Sequence, residues 1–410
     1  MGSNAGLGRN YEFKVVLVLS LSFGLLGLDR FIINPLFPVI AKDLGLDYKD
    51  IGLVAAALAL TWGVAAIVMG RLADRVGIRA VLVPAVLAFS VLVGLTGLAA
   101  GLGSLILLRG LMGLAEGTFV PACIVATTRA SRPSRVGLNI GLQHMAAALF
   151  GLGLAPVLAT RLLDILPSWR WVFALVAVPG LVMAYCVRRV LAPDPRPEQP
   201  AEAARPGRWR EVLRHRGVVA NALAMSCWLA SVTTLGALLP SYLTDHLHLS
   251  LDQMGIVLAG LGLGGVVGMI VVPGLGDRFG YKAVALAAIA LKLAALALFI
   301  AASSDVGWLF VLLFVTALAG SGVMATTVGP LTGRSVGAPL AATATGIVVG
   351  TGEIIGGAFA PALAGLLATK LGIVVVPVFA LATAAIGFVA LGLGVGEPHA
   401  EQPAPALPSV

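Results

Sequence analysis

Two acid–base pairs stand inside stretches that are otherwise apolar. Asp29 and Arg30 lie midway along the run 13–40, and Arg109 and Glu116 lie in the run 104–127. A charge at membrane depth costs about 2.5–3.5 kcal/mol on insertion scales, so it must be paired or face a wet cavity. Arginine keeps its proton in proteins, whereas a carboxyl group can exchange one. Side chains of these types at such depth mark a pathway for a solute or for protons. A permanent ion pair holding two helices together is the alternative.

The spacing adds geometry. Arg109 and Glu116 are seven residues apart, so on a helix they share one face, about 10.5 Å apart along the axis. Gly110, Gly113 and Gly117 form an adjoining face of small residues on which another helix can approach. Asp29 and Arg30 point about 100° apart, which lets one face the fourth run while the other faces a cavity. An anion entering a low-dielectric space needs a fixed cation, and Arg supplies a planar two-pronged donor. Coupling to protons needs a carboxyl group whose protonation changes with its surroundings, ionised beside Arg and neutral when desolvated.

The elements that must position these groups are membrane spans. The 410 residues are 59% hydrophobic and 11% charged, against about 25% charged in a soluble domain. Runs of about 20 apolar residues suffice to cross the hydrocarbon core. Twelve occur, at 13–40, 51–70, 80–101, 104–127, 136–163, 170–190, 218–243, 253–273, 283–302, 308–331, 340–369 and 372–394. They do not alternate as the strands of a membrane barrel do. The net charge of +8 suggests nucleic acid at first sight, but its distribution speaks against such a partner. With the N-terminus in the cytoplasm, roughly nineteen Lys and Arg fall on the cytoplasmic side and about five on the other, as the positive-inside rule requires. The clusters Arg129, Arg132, Arg135 and Arg205, Arg208, Arg210, Arg214, Arg216 then meet lipid headgroups.

The chain divides near its middle. Residues 191–217 are rich in Pro, Arg, Glu and Ala and read as a cytoplasmic linker between helical bundles at 13–190 and 218–394. Residues 1–12 form a cytoplasmic N-terminus, and 395–410 read as a disordered cytoplasmic tail. The first apolar run is long and lacks a small-residue cleavage site, so no cleavable signal is expected. The halves echo each other. Gly70-Arg71-Leu72-Ala73-Asp74-Arg75-Val76-Gly77 follows the second run, and Leu275-Gly276-Asp277-Arg278-Phe279-Gly280 follows the eighth. Both contain Leu-x-Asp-Arg-x-Gly, as internal repeats of secondary transporters do. Gly70, Asp74, Arg75 and Gly77, with Asp277, Arg278 and Gly280, are candidates for a gating loop; a tight loop that only sets topology is the alternative. Cys123, Cys186 and Cys227 and the five His form no metal-ligand spacing. With no phosphate-binding loop and no nucleophile beside a positioned base, neither a cofactor nor an enzymatic activity is expected.

The loop signature, with Trp169-Arg170-Trp171-Val172-Phe173, resembles the major facilitator superfamily over residues 13–394. That resemblance implies an all-α membrane protein of 12 transmembrane helices in two pseudo-symmetric six-helix bundles, alternating access, and a monomer. Asp-Arg in the first run followed by Arg-x6-Glu-Gly in the fourth is similar to its anion:cation symporter branch. The likeness implies that Arg30 and Arg109 recognise a carboxylate, that Asp29 and Glu116 carry the proton, and that Gln143 contacts substrate. Glu353 departs from that branch, where an amide commonly stands; it can bind a hydroxyl or amine, take a second proton, or pair with an N-half Arg. Trp228 and Tyr242 of the seventh run are candidates to stack on substrate, with packing as the alternative. Lys292, on a peripheral run without an acid at helical spacing, is expected to reach toward the headgroups. His144 is expected to make a hydrogen-bonded helix contact. The expected function is proton-coupled symport of a small organic anion, a monocarboxylate or sugar acid, across a bacterial inner membrane with both termini cytoplasmic. The rival is an exporter of cationic or lipophilic compounds.

Overall fold

The structure is a computed structural model that describes residues 9–132, 135–192, 211–302, 304–332, 335–336 and 338–394, without the side chains of residues 9, 67–76, 329–330, 338–339 and 341–343. Residues 1–8, most of the linker and the tail lie outside the described residues. Twelve helices are long and apolar enough to cross a membrane. They are α1 (Asn10–Leu44), α2 (Tyr48–Ala66), α3 (Ile78–Thr96), α4 (Leu102–Ala130), α5 (Val136–Ile165), α6 (Trp169–Val190), α7 (Arg216–His246), α8 (Leu251–Phe279), α9 (Tyr281–Ala301), α10 (Val306–Thr326), α11 (Ala344–Leu371) and α12 (Val375–Gly394).

Local chemistry sets the ends and the bends. Ser250 and Gln253 form a capping box that starts α8, and Asp305 accepts from the Trp308 N–H at 2.7 Å to start α10. Gly77 and Gly280, the last residues of the two repeated motifs, adopt φ of 94° and 88° before α3 and α9. These are values that a side chain disfavours. α1 breaks at Ile32, between the helical segments Arg9–Phe31 and Ile33–Leu44. Pro35 follows, with no N–H to offer the Phe31 carbonyl. π-helical turns widen α5 at Leu149–Leu154 and α11 at Glu353–Phe359, each just before a proline, Pro156 or Pro361. The Trp-Arg pair that opens α6 is a fastener: Trp169 Nε1 and Arg170 Nη2 both donate to Asp43, at 3.1 Å, and Arg170 Nη1 donates to the Gly97 and Ala99 carbonyls.

Within each half the most extensive helix packing is α2 on α4 and α8 on α10. Between the halves, α2 packs on α11, α5 on α8 and α1 on α7. Glycines make the first two of these seams: Gly52 faces the Pro361 carbonyl, Gly365 faces the Tyr48 carbonyl, and Gly255 faces Thr160. Hydrogen bonds reinforce the same end of the bundle. Tyr48 donates to Asp245 at 2.8 Å, the Lys49 N–H to Thr369 Oγ1 at 3.1 Å, and Arg161 to Asp252 at 3.4 Å. The start of α2 and the end of α11 therefore close the cleft at the end that carries the 45–47 and 372–374 turns.

Candidate functional site: a charged cavity between the halves

Gly113 and Gly117 determine how α4 is turned. A Cβ on either would stand 2.3 Å from a carbonyl of α2, that of Leu58 or Trp62. With that face on α2, Arg109, Met112 and Glu116 are buried. Arg109 Nη1 donates to the backbone carbonyls of Asp29 at 3.2 Å and Arg30 at 3.1 Å. Those carbonyls lie just before the break at Ile32, so the guanidinium caps the interrupted helix. Both carboxyl oxygens of Asp29 and of Glu116, and Nε and Nη2 of Arg109, are buried without a hydrogen-bond partner among the described residues. Glu116 is within electrostatic reach of Asp29, Arg30, Arg109 and Glu353. Asp29 is buried within this cluster, and Arg30 stands at its edge on the cavity side.

Arg30 reaches the other half. Its Nη2 lies 3.2 Å from Glu353 Oε2, and its guanidinium stands 5.7 Å from the Phe31 ring and 5.8 Å from the Trp62 ring. Beside it is a small cavity, partly open to solvent. Arg30, Asn34, Arg109, Thr233 and Gly357 line it, with apolar side chains of α1, α2 and α7. A mostly apolar concavity with a few convergent polar groups is the usual form of a small-molecule site. Glu353 opens the π-helical turn of α11, a local widening common at functional sites. Thr233 Oγ1 lies 2.7 Å from both the Gly356 and the Leu229 carbonyls, which ties α7 to that turn.

Asp29, Arg30, Arg109, Glu116 and Glu353 thus come together, and three other candidates do not. Gln143 is buried and donates to Thr127 of α4, so its amide serves a helix contact instead of the cavity. Trp228 is fully buried against Gly387 of α12 and Lys292 of α9. Tyr242 packs on Phe299, 5.9 Å between ring centroids. The stacking role expected of these two is corrected: both point into their own half, away from the cavity. Lys292 also departs from expectation. It is 1% exposed, its Nζ has no hydrogen-bond partner among the described residues, and it stands 5.9 Å from the Trp228 ring. α9 presents it to α7 and α10, a direction from which headgroups are out of reach.

The remaining candidates lie at the periphery. His144 is exposed; its Nδ1 lies 3.0 Å from the Ile140 carbonyl of its own helix, and its ring meets that of Phe23 on α1, 5.2 Å between centroids. Of the repeated loops, Asp277 accepts from Tyr281 within its own loop, and Arg278 and Gly280 are exposed. The side chains of Asp74 and Arg75, with Gly70, lie outside the described set. Sequence reasoning missed Asn34, Thr233 and Gly357. Asn34 stands four residues after Arg30, one helical turn on, which was the available signal.

The chain matches the Major Facilitator Superfamily over residues 19–348 and 222–408 and belongs to that family of transporters. Among its relatives is a probable sulfoacetate transporter of Cupriavidus necator, 28% identical over 65% of this chain and 64% of that one. The match therefore spans less than two thirds of that relative's length. A gentisate transporter of Corynebacterium glutamicum is 28% identical over 83% of this chain and 78% of that one. A Salmonella paratyphi B protein named as a candidate for multidrug resistance is 29% identical over 41% of this chain and 35% of its own. A bacterial homolog of the human lysosomal transporter Spinster, solved inward-facing and unoccupied, has the same fold. Its TM-score is 0.79 at 18% identity, covering 96% of this chain and 100% of that one.

Proposed function

We propose that this transporter carries a small organic anion, a monocarboxylate or sugar acid, together with a proton through the cavity between its halves. The observation that carries the reading is the pairing of two buried carboxyl groups that lack hydrogen-bond partners among the described residues, Asp29 and Glu116, with Arg109 and Arg30 at the cavity wall. Arg30 and Arg109 recognise the carboxylate. Asp29 and Glu116, drawn between a charged and a neutral form by the same guanidinium groups, carry the proton. Relatives named for sulfoacetate and gentisate support an acidic solute. The positive-inside bias supports a bacterial inner membrane with both termini cytoplasmic, which makes the closed end the outer one and this conformation inward-facing.

The apolar lining from Phe31, Ile33, Ile51, Val54 and Leu58 favours a second reading, an exporter of lipophilic or cationic compounds with Asp29 and Glu353 as substrate acids. Purified protein in liposomes separates the two. Under an imposed proton gradient, a panel of organic acids should include one that accumulates and acidifies the lumen only when added. Counterflow of a lipophilic cation with no acid transported would overturn the symport reading.

A further inference from the structure

Glu353 sits where a substrate carboxylate would sit. It begins the π-helical turn of α11 in the C-terminal half, and its Oε2 meets Arg30 of the N-terminal half at 3.2 Å. The carboxyl group passes over Gly357, where a Cβ would stand 2.8 Å from Oε2. Gly357 itself lines the cavity. A glycine notch in the wall thus lets a carboxylate carried by the protein reach the cation that faces the cavity. Arg109 lines the same cavity, but its Nη1 already donates to the Asp29 and Arg30 carbonyls.

The charged groups around the pair are Asp29 on α1 and Arg109 and Glu116 on α4; from α7 the facing polar group is Thr233. Three acids already surround two guanidinium groups. A further carboxylate on Arg30 would stand beside Glu353, and two ionised carboxylates at such range oppose each other strongly in a low-dielectric cleft.

We propose that Glu353 is a tethered counter-anion: it occupies Arg30 in the substrate-free transporter, ties α1 to α11, and is displaced when an organic carboxylate binds. This rests on the reading of Arg30 as a carboxylate-recognising residue. The measured affinity for the solute is then a difference between two anions competing for one guanidinium. The bridge between the halves is released only when the solute takes the place of Glu353, so occupancy and movement are linked through one bond.

The test uses purified full-length protein, with gluconate and gentisate as probes. Binding is measured for wild type, E353Q, G357A and R30Q. In parallel, spin labels at Leu98 and Leu371, both exposed near the closed end, report the separation of the halves without ligand in a background lacking Cys123, Cys186 and Cys227. E353Q should bind the acids about tenfold tighter, as expected for removal of a largely buried competing ion pair. It should also raise the population with separated ends. G357A, which pushes the carboxyl group aside and keeps its charge, should move both readouts the same way. Unchanged binding and unchanged separation in E353Q and G357A would overturn the proposal, as would weaker acid binding by E353Q, which would make Glu353 a direct substrate contact. Wild-type binding by R30Q, or no binding of either acid by any variant, would instead remove the carboxylate-recognition reading. The bridge is then judged by the label separation alone, and no change in E353Q overturns it.

Discussion

The two halves meet the same packing demand with glycines on opposite partners. In the N-terminal half α4 offers Gly113 and Gly117 to the backbone of α2. In the C-terminal half α8 offers Gly260, Gly264 and Gly268 to the carbonyls of Phe310, Phe314 and Leu318 on α10. The chemistry diverges further. Glu116 stands fifteen residues after its helix cap, Gly101; fifteen residues after the cap Asp305 of α10 stands Gly320. At that depth the first half places a carboxyl group among guanidinium groups. The second leaves a gap, and a Cβ on Gly320 would lie 3.2 Å from Lys292 Nζ. The repeat has kept its architecture and let its charges differ, which is how one fold serves many solutes.

The largest expected effect tests whether only the N-terminal half handles the proton. E116Q should cut gradient-driven accumulation about a hundredfold, a range typical of removing a proton-transferring group, and leave counterflow of substrate intact. Full concentrative uptake by E116Q would move the proton elsewhere and erase the contrast between the halves. R109K comes next. An ammonium is a point charge and cannot reproduce the fork that spans two carbonyls, so thermal unfolding should show a loss of about 1–3 kcal/mol together with weaker acid binding. An unchanged melting temperature would show that the α1 break needs no cap.

In the other half the sign reverses. K292M removes a buried amine that has no hydrogen-bond partner among the described residues, and should raise stability by about 1–3 kcal/mol with transport retained. Loss of transport would bring Lys292 into the mechanism and narrow the difference between the halves. The smallest effect belongs to the closed end, where Y48F deletes the 2.8 Å bond to Asp245. A loss of about 0.5–1 kcal/mol should favour separation of that end about two- to fivefold in label-distance distributions; identical distributions would show that the glycine seams alone hold it shut.

The spans were legible because hydropathy is a sum over some twenty residues and tolerates local error. The helix ends moved by a few residues, as at α8, which runs on to Phe279 past the apolar limit at 273. The charged cluster was legible because ionised groups in an apolar run need one another. Orientation was not, since it depends on which neighbour a helix face meets. Trp228 and Tyr242 have the chemistry of stacking residues and point into packing. Lys292 lacks an acid at helical spacing, and nothing in that pattern distinguishes lipid from a protein interior. Arg109 bonds to backbone carbonyls, which carry no mark in the sequence beyond Pro35 nearby. The ties between Tyr48 and Asp245 and between Lys49 and Thr369 join positions 197 and 320 residues apart, a distance no local pattern spans.

One contact remains, at the crossing of α5 and α8. There Gly262 meets Gly153 with no side chain between the strands of peptide: a Cβ on Gly262 would lie 1.9 Å from the Gly153 nitrogen. Two rods touching at a bare point can roll on it as a fulcrum, so parting them at one end presses them together at the other. Even a methyl group inserted there would act as a wedge and hold the lever off its bearing along its whole length.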